Sequence, residues 1–452
     1  MTNDPLELWA GVECSVVRVG DTYVDQVVET GHDSRLSDLD HLAELGIRTV
    51  RYPVLWERTA PGRIEDARWA FADERLERLR TLGIRPIVGL VHHGSGPSGT
   101  SLVEQSFVSG LATFAGAVAR RYPWIEDYTP VNEPLTTARF SGLYGHWYPH
   151  ARADESFIRA LLVECEATRE AMRAIHMVNP RARLFQTEDA ATVFSTQRLA
   201  YQAHFENQRR FASLDLLTGR FGASHPLHEF FLSRGADPHL LDSLVAEPCP
   251  PDMIGINYYV TSDRFLDERI HDYPLHTHGG NGVERYADVE AVRVREAGIV
   301  GHRQVLEDMW QRYRVPLALG EVHLSCTPDE QVRWLAEAWE AAADARRDGV
   351  DVRAVTAWAA FGAKDWDSLL VAQRGSYEPG LFDVRDGMVR STALASVARD
   401  LARRGASTHP MLEGPGWWRR DERLTYQGSA TRGTPSVNVT RAKRSERAPP
   451  AA

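Results

Sequence analysis

The chain has 452 residues, 43% of them hydrophobic and 25% charged, with a formal net charge of −10. That composition is enough for a large packed core, and the acidic balance argues against nucleic acid or an anionic membrane surface as a partner. No uncharged apolar run is long enough to span a bilayer.

Along the chain one unit recurs: a short β-branched run, a turn, then an amphipathic stretch closed by Gly or Asn. The run from Trp9 to Val17 reads as a first strand. The helix DSRLSDLDHLAELG follows, with Leu36, Leu39, Leu42 and Leu45 on one face, Asp33 or Ser34 as cap and Gly46 as stop. IRTVRYPVLW is a second strand and WAFADERLERLRTLG its helix. IRPIVGLVHH is the third strand, with a helix over 101–122, and IEDYTPVNEP the fourth, with a long helix over about 155–177. RARLFQTED is the fifth. The stretch 197–248 is too long for an ordinary strand-to-helix connection and reads as an elaborated loop containing helices. PDMIGINYYV, VPLALGEVHL and VRAVTAWAAF supply strands six to eight, with helices at 305–313 and 329–347, and STALASVARDLARRG the last helix.

Eight strand-then-helix units in series predict a (β/α)8 TIM barrel over about 5–410, a single domain with elaborated loops. An open doubly wound sheet lacks its usual support, because neither a GxGxxG after the first strand nor a P-loop is present. The remainder, 411–452, reads as a C-terminal extension, basic and disordered after about 428, with Trp417 and Trp418 packing its start on the barrel. Cys14, Cys165, Cys249 and Cys326 are far apart and show no metal-ligand spacing, which suggests reduced thiols. The opening MTNDPLELWAGVE has no basic n-region or apolar h-region, so no signal peptide is read and the expected location is cytoplasmic.

In such a barrel, chemistry comes from residues at the C-terminal ends of strands. Those ends carry Arg51, His92 and His93, Asn132 and Glu133, Asn257, Tyr258 and Tyr259, Glu321, and Trp358, with Asp365 and Trp366 just beyond. Two carboxyls on different strands suit glycosidic cleavage. One must stay protonated to protonate the leaving oxygen, and the other must be ionised to attack the anomeric carbon. Tyr258 and Tyr259 alternate faces, so one of them packs. Glu188, at the end of the fifth strand, reads as a structural salt-bridge partner. Neither a metal nor an organic cofactor is expected.

These segments resemble the family 1 glycoside hydrolases, the β-glucosidase-like enzymes, over about 9–404. YTPVNEP is similar to that family's acid/base motif, which implies Glu133 as acid/base and Asn132 as a sugar 2-OH ligand. PLALGEVHL stands where the family carries its nucleophile, implying Glu321. VRYPVLWERTAPG implies Arg51 as a nucleophile contact, GLVHH implies His92 as a sugar ligand, and DMIGINYYV implies Asn257 and a nucleophile-contacting Tyr259. Trp358, Asp365 and Trp366 stand at the family's platform Trp, acidic sugar ligand and following Trp. Three departures concern the rim that selects the sugar. Arg18, with Glu13 nearby, replaces a Gln; Gly320-Glu321-Val322-His323 replaces Thr-Glu-Asn-Gly; and Asp365 replaces Glu. The resemblance implies a retaining β-glycosidase acting on a carbohydrate or glycoside. A catalytically silent sugar-binding barrel and a transglycosidase are the alternatives.

Overall fold

The computed structural model describes residues 5–426. Eight parallel strands close into a barrel: β1 (Glu7–Gly11), β2 (Thr49–Pro53), β3 (Arg85–His92), β4 (Asp127–Asn132), β5 (Arg183–Asp189), β6 (Met253–Asn257), β7 (Leu317–Val322) and β8 (Val352–Ala357). Each pairs with its sequence neighbours, and β1 closes the ring against both β2 and β8. These strands are buried almost throughout, so they read as continuous apolar runs rather than alternating ones. Trp9, Ile87, Phe185 and Ala318, from the four odd-numbered strands, cluster inside the ring together with Ala354. Trp9 meets Phe185 edge-on at 5.8 Å. This layer fills the lower barrel and makes it a core rather than a channel.

The outer helices are α1 (Asp38–Leu45), α2 (Ala70–Thr81), α3 (Gln105–Arg121), α4 (Asp154–His176), α5 (Pro238–Ala246), α6 (Gly301–Tyr313), α7 (Pro328–Arg347) and α8 (Ala393–Arg404). Their apolar faces pack on the strands; Leu39, Leu42 and Leu45 of α1 are all buried. The long segment after β5 is helical, ending with α5, as its patterning implies. Among the described residues no helix is long and apolar enough to cross a membrane.

Three local readings need correction. The first strand ends at Gly11, and Val16–Val19 turns back on Thr22–Asp25 as a separate hairpin. A β-branched run has the same pattern whichever partner it takes, so periodicity does not distinguish barrel from hairpin. The first helix begins at Asp38 rather than beside Asp33 or Ser34, which lie in a short 3-10 turn. Asp38 is buried there, accepting from His32 Nδ1 at 2.7 Å and Arg35 Nε at 3.1 Å; such local bonds compete with helix formation. Finally, the chain between β6 and α6 builds most of an unanticipated small sheet from Arg264–Asp267, His278–Gly280 and Arg285–Glu290. The fourth strand, Val193–Ser195, comes from the segment after β5.

Beyond α8 the chain returns along α7. Trp418 is fully buried, meets Trp334 edge-on at 4.9 Å and donates from Nε1 to Glu337 at 2.8 Å. The basic stretch 432–447 lies outside the described residues. Trp418→Ala is expected to cost about 3–5 kcal/mol, the usual loss for a buried aromatic. Urea unfolding followed by fluorescence checks this, and an unchanged midpoint would show that the segment does not dock.

Candidate active site

A cleft of about 460 Å³ opens at the C-terminal mouth of the barrel, and both Glu133 and Glu321 line it. Each carboxyl is held by a different set of groups.

Glu133 follows β4 directly and opens the short helix Pro134–Ala138. Its backbone is left-handed, at φ 46° and ψ 65°, a conformation costing a non-glycine residue about 1–3 kcal/mol. Several bonds hold it there. Thr137 N donates to its carbonyl at 2.9 Å, and Leu135 N donates to Glu188 Oε2 at 2.9 Å. Glu188 also accepts from Ser213 Oγ at 2.6 Å. Glu188 is therefore the acceptor that caps the N-terminal end of this helix, rather than the salt-bridge partner expected from the sequence. The Glu133 carboxyl itself accepts a short hydrogen bond from Asn257 Nδ2, and among the described residues no cation pairs with it.

Glu321 has the opposite surroundings. Arg51 Nη1 donates to Glu321 Oε1 at 2.8 Å, and Tyr259 Oη donates to Oε2 at 2.5 Å. The same Arg51 donates to the Gly320 carbonyl at 2.8 Å and through Nη2 to Asn132 Oδ1 at 2.6 Å. A register irregularity in β7 between Leu319 and Glu321 sets Glu321 opposite Asn257 of β6. Gly320 makes this possible, since a Cβ there would lie 2.6 Å from Asn257 Oδ1.

Burial is the main influence on both groups. It pushes the Glu133 carboxyl well above the ordinary range, and the charge of Glu321 pushes it further. Burial also raises Glu321, but Arg51 and the Tyr259 hydroxyl oppose that rise. The two carboxyls are thus held unequally, since a guanidinium and a phenol hydroxyl oppose the rise at Glu321. His92 and His93 are lowered by burial, with the Arg51 charge adding to it, His93 to about 3, so both rings are neutral. Neutral imidazoles can donate to and accept from hydroxyl groups.

Around the carboxyls stands an aromatic wall. Trp358 stacks on His92 with centroids 5.4 Å apart, and the Arg51 guanidinium lies 4.5 Å from its ring centre. Gly11 leaves space for that ring; a Cβ there would meet Trp358 at 2.2 Å. Trp358 Nε1 donates to Glu13 Oε2 at 3.0 Å.

The structure thus brings most of the predicted residues together. His92, Glu133, Tyr259, Glu321, Trp358 and Trp366 line the cleft, and Arg51, Asn132 and Asn257 back them through the bonds above. Asp365 is committed elsewhere: its Oδ1 accepts from the amides of Arg374 and Ser376, shaping the loop after β8. From the segment after β1, Glu13 lines the cleft. Arg18 instead lies over the Tyr148 ring at 3.9 Å and pairs with Asp21. Tyr258 is the tyrosine that packs, buried with its hydroxyl donating to Asp263 at 2.8 Å.

His323, named in the sequence only as part of the altered motif after Glu321, lines the cleft with a partner the sequence did not suggest: its Nε2 lies 3.0 Å from Glu378 Oε2, which lines the cleft too. Its position two residues after Glu321, on the same face of an extended strand, was the available signal. Trp417, expected to pack, also lines the cleft; only Trp418 is fully buried. Among the described residues, no group of three or more His, Cys, Asp or Glu is placed to hold a metal ion.

A barrel with paired carboxyls and an aromatic wall at its mouth is the architecture of a carbohydrate-cleaving enzyme class. A model of glycosyl hydrolase family 1 matches residues 18–374, and the chain belongs to that family. Among solved structures it is similar to the family 1 β-glucosidase from Thermotoga maritima. That match has 13% identity and a TM-score of 0.71, covering 90% of this chain and 99% of that one. Complexes of Thermotoga maritima β-glucosidase with deoxynojirimycin and with noeuromycin match at 13% and 14% identity, with TM-scores of 0.70 and 0.71. Each covers 89% of this chain and 98% of the other. At this identity the likeness is one of fold.

Gly320→Ala tests the packing beneath the two carboxyls. The added methyl must displace Asn257, so a loss of about 1–3 kcal/mol is expected. Gly222, where a Cβ meets nothing within 4 Å, supplies the control, since Gly→Ala at an unstrained site stabilises by about 0.4–1 kcal/mol. Urea midpoints of the two variants separate the cases, and equal midpoints would contradict the reading of Gly320.

Proposed function

We propose that the chain is a retaining β-glycosidase, with Glu321 as nucleophile and Glu133 as acid/base. The observation that supports this best is the unequal surroundings of two carboxyls in one cleft. Glu321 is held by a guanidinium and a phenol hydroxyl, and Glu133 by a neutral amide alone.

In the first step a Glu321 oxygen bonds to the anomeric carbon while the bond to the leaving oxygen breaks. The Glu133 proton passes to that leaving oxygen. As the carboxylate becomes an ester, its negative charge disappears, and with it the charge that, added to burial, made Glu133 a weaker acid. Glu133 is then ready to act as a base. In the second step water attacks the same carbon, the ester bond breaks, and the water's proton passes to Glu133. Substrate configuration at that carbon is retained because it is inverted twice. Asn132 is fixed by Arg51 and by Thr187 Oγ1 at 2.7 Å; its amide nitrogen, now 3.3 Å from His92 Nε2 and 3.4 Å from His93 Nε2, exchanges one of these long contacts for the sugar 2-OH, where hydrogen bonds strengthen in the transition state. Trp358 supplies the flat face for the ring, and His92 and Glu13 supply hydroxyl partners.

A panel of 4-nitrophenyl β-glycosides tests this directly. Wild type is expected to release nitrophenol from at least one of them, and Glu321→Gln to lose at least about 10³-fold in kcat, as expected when covalent catalysis is removed. Turnover by Glu321→Gln equal to wild type would exclude Glu321 as nucleophile. Sugar binding without turnover by wild type would favour a silent binding barrel.

The pH profile tests the assignment of the proton. kcat/KM is expected to fall at low pH as Glu321 takes up a proton and at high pH as Glu133 loses one. Because burial and the Glu321 charge raise Glu133, the alkaline limb should lie above the ordinary carboxylate range. Glu133→Gln should abolish that limb. Retention of the limb in this variant would show that another group supplies the proton.

A further inference from the structure

The stretch from Pro410 to Tyr426 lies beyond the residues matched by the family model, which end at Arg374, yet it reaches the active cleft. It is firmly attached. Trp417 N donates to Glu330 Oε2 at 2.9 Å, Arg419 pairs with Glu337 at 2.7 Å, and Arg420 pairs closely with Glu330. Arg423 Nη2 donates to the carbonyl of Arg295 at 3.0 Å, and Thr425 N donates to the carbonyl of Arg293 at 2.9 Å. Trp418 anchors the turn in the core.

The result of this anchoring is that Trp417 forms part of the cleft wall, with the Arg293 guanidinium 4.2 Å from its ring centre. Arg293 also lines the cleft and is steered by Glu290 at 3.5 Å. His92 ends β3, Glu13 follows β1, and Trp358 and Trp366 follow β8; the Trp358 ring stacks on His92 and donates to Glu13, so these residues form one side of the mouth. Arg293 and Glu290 come from the chain between β6 and α6, and Trp417 joins them. The cleft therefore has a second aromatic surface, supplied by other elements than the first. The guanidinium lies over one face of the Trp417 indole, and a stacked indole–guanidinium pair offers flat surface suited to the apolar face of a ring, whether aromatic or pyranose.

Building on the glycosidase reading, we propose that Trp417 and Arg293 form the platform for a ring-bearing leaving group, so that the C-terminal strap selects which glycosides are cleaved. Trp417 contacts the departing half of the substrate, while the sugar that becomes bound to Glu321 rests on Trp358.

The test compares leaving groups with and without a ring. Wild type, Trp417→Ala, Trp417→Phe and Arg293→Met are assayed with 4-nitrophenyl β-glycosides, with disaccharides, and with β-glycosyl fluorides of the same sugar. Fluoride has no ring and needs no proton to leave. In Trp417→Ala the ratio of kcat/KM for ring-bearing substrates to that for fluorides is expected to fall at least tenfold, mainly through KM. Trp417→Phe should recover most of the ratio, and Arg293→Met should lower it by a smaller factor. A larger loss on nitrophenyl glycosides identifies an aromatic leaving group, and a larger loss on disaccharides a second sugar. A ratio within twofold of wild type for both ring classes would overturn the proposal, as would a Trp417→Phe variant that melts like wild type without recovering the ratio. If wild type turns over no donor, the glycosidase reading fails. Calorimetric binding of the nitrophenyl glycosides then decides the platform alone: tenfold weaker binding to Trp417→Ala supports it, and equal or absent binding overturns it.

Discussion

The site is organised around one buried cation. Arg51 leaves β2 and meets the Glu321 carboxylate and the Gly320 carbonyl on β7, Asn132 at the end of β4, and the Trp358 ring just beyond β8. A guanidinium offers several donors in a rigid planar fork, so it can tie these elements together in a fixed geometry. Taking such a charge out of water is costly unless it is paired and fully hydrogen-bonded, and removing one partner of a buried pair typically costs about 3–5 kcal/mol. Arg51 and Glu321 are therefore mutually dependent: each makes the burial of the other tolerable. The barrel must close with its β2, β4 and β7 ends in register for either to be satisfied.

The difference between the two carboxyls follows from that cation. Arg51 serves Glu321 and reaches Glu133 only through Asn132 and the intervening chain. Asn257 bridges the two sides, since it donates to Glu133 and lies opposite Glu321 in the β6–β7 ladder. Its tolerance for this position depends on Gly320, where no side chain intrudes. The left-handed backbone at Glu133 is a second cost, and the short helix capped at its start by Glu188 offsets it. Strain of this kind persists only where surrounding bonds over-determine it, and it is commonest at functional positions. The site is thus assembled from locally unfavourable elements, namely a buried charge, a left-handed glutamate and a strand irregularity, each compensated by a neighbour.

Much of this was legible in the sequence. The eight strand-and-helix units could be read because each parallel strand is buried on both faces and each helix on one, and these two patterns differ in period. Arg51, Asn132, Glu133, Asn257, Tyr259, Glu321 and Trp358 could be located because a parallel barrel directs the ends of all its strands to one mouth. What escaped was non-local. Arg18 and Glu13 lie five residues apart, and only the hairpin that carries Arg18 away leaves Glu13 in the cleft. The bonds of Asp365 go to amides nine and eleven residues further on. Glu378 is 55 residues from His323, and Trp417 reaches the cleft only because Trp418 anchors its turn. The small sheet alongside the barrel was hidden for the same reason: Val193–Ser195 pairs in parallel with Arg264–Asp267 across a wide gap in sequence.

In the proposed mechanism Glu321 forms a covalent bond to the sugar with Glu133 as the proton donor. Once the accepted sugar is known, its 2-deoxy-2-fluoro β-glycoside with an activated leaving group would slow the second step more than the first. Mass spectrometry of the treated protein and its peptides is the most direct measurement. One added glycosyl unit is expected, located on the peptide containing Glu321. An unmodified protein that nonetheless turns over the parent glycoside, or a label on any other residue, would contradict that mechanism.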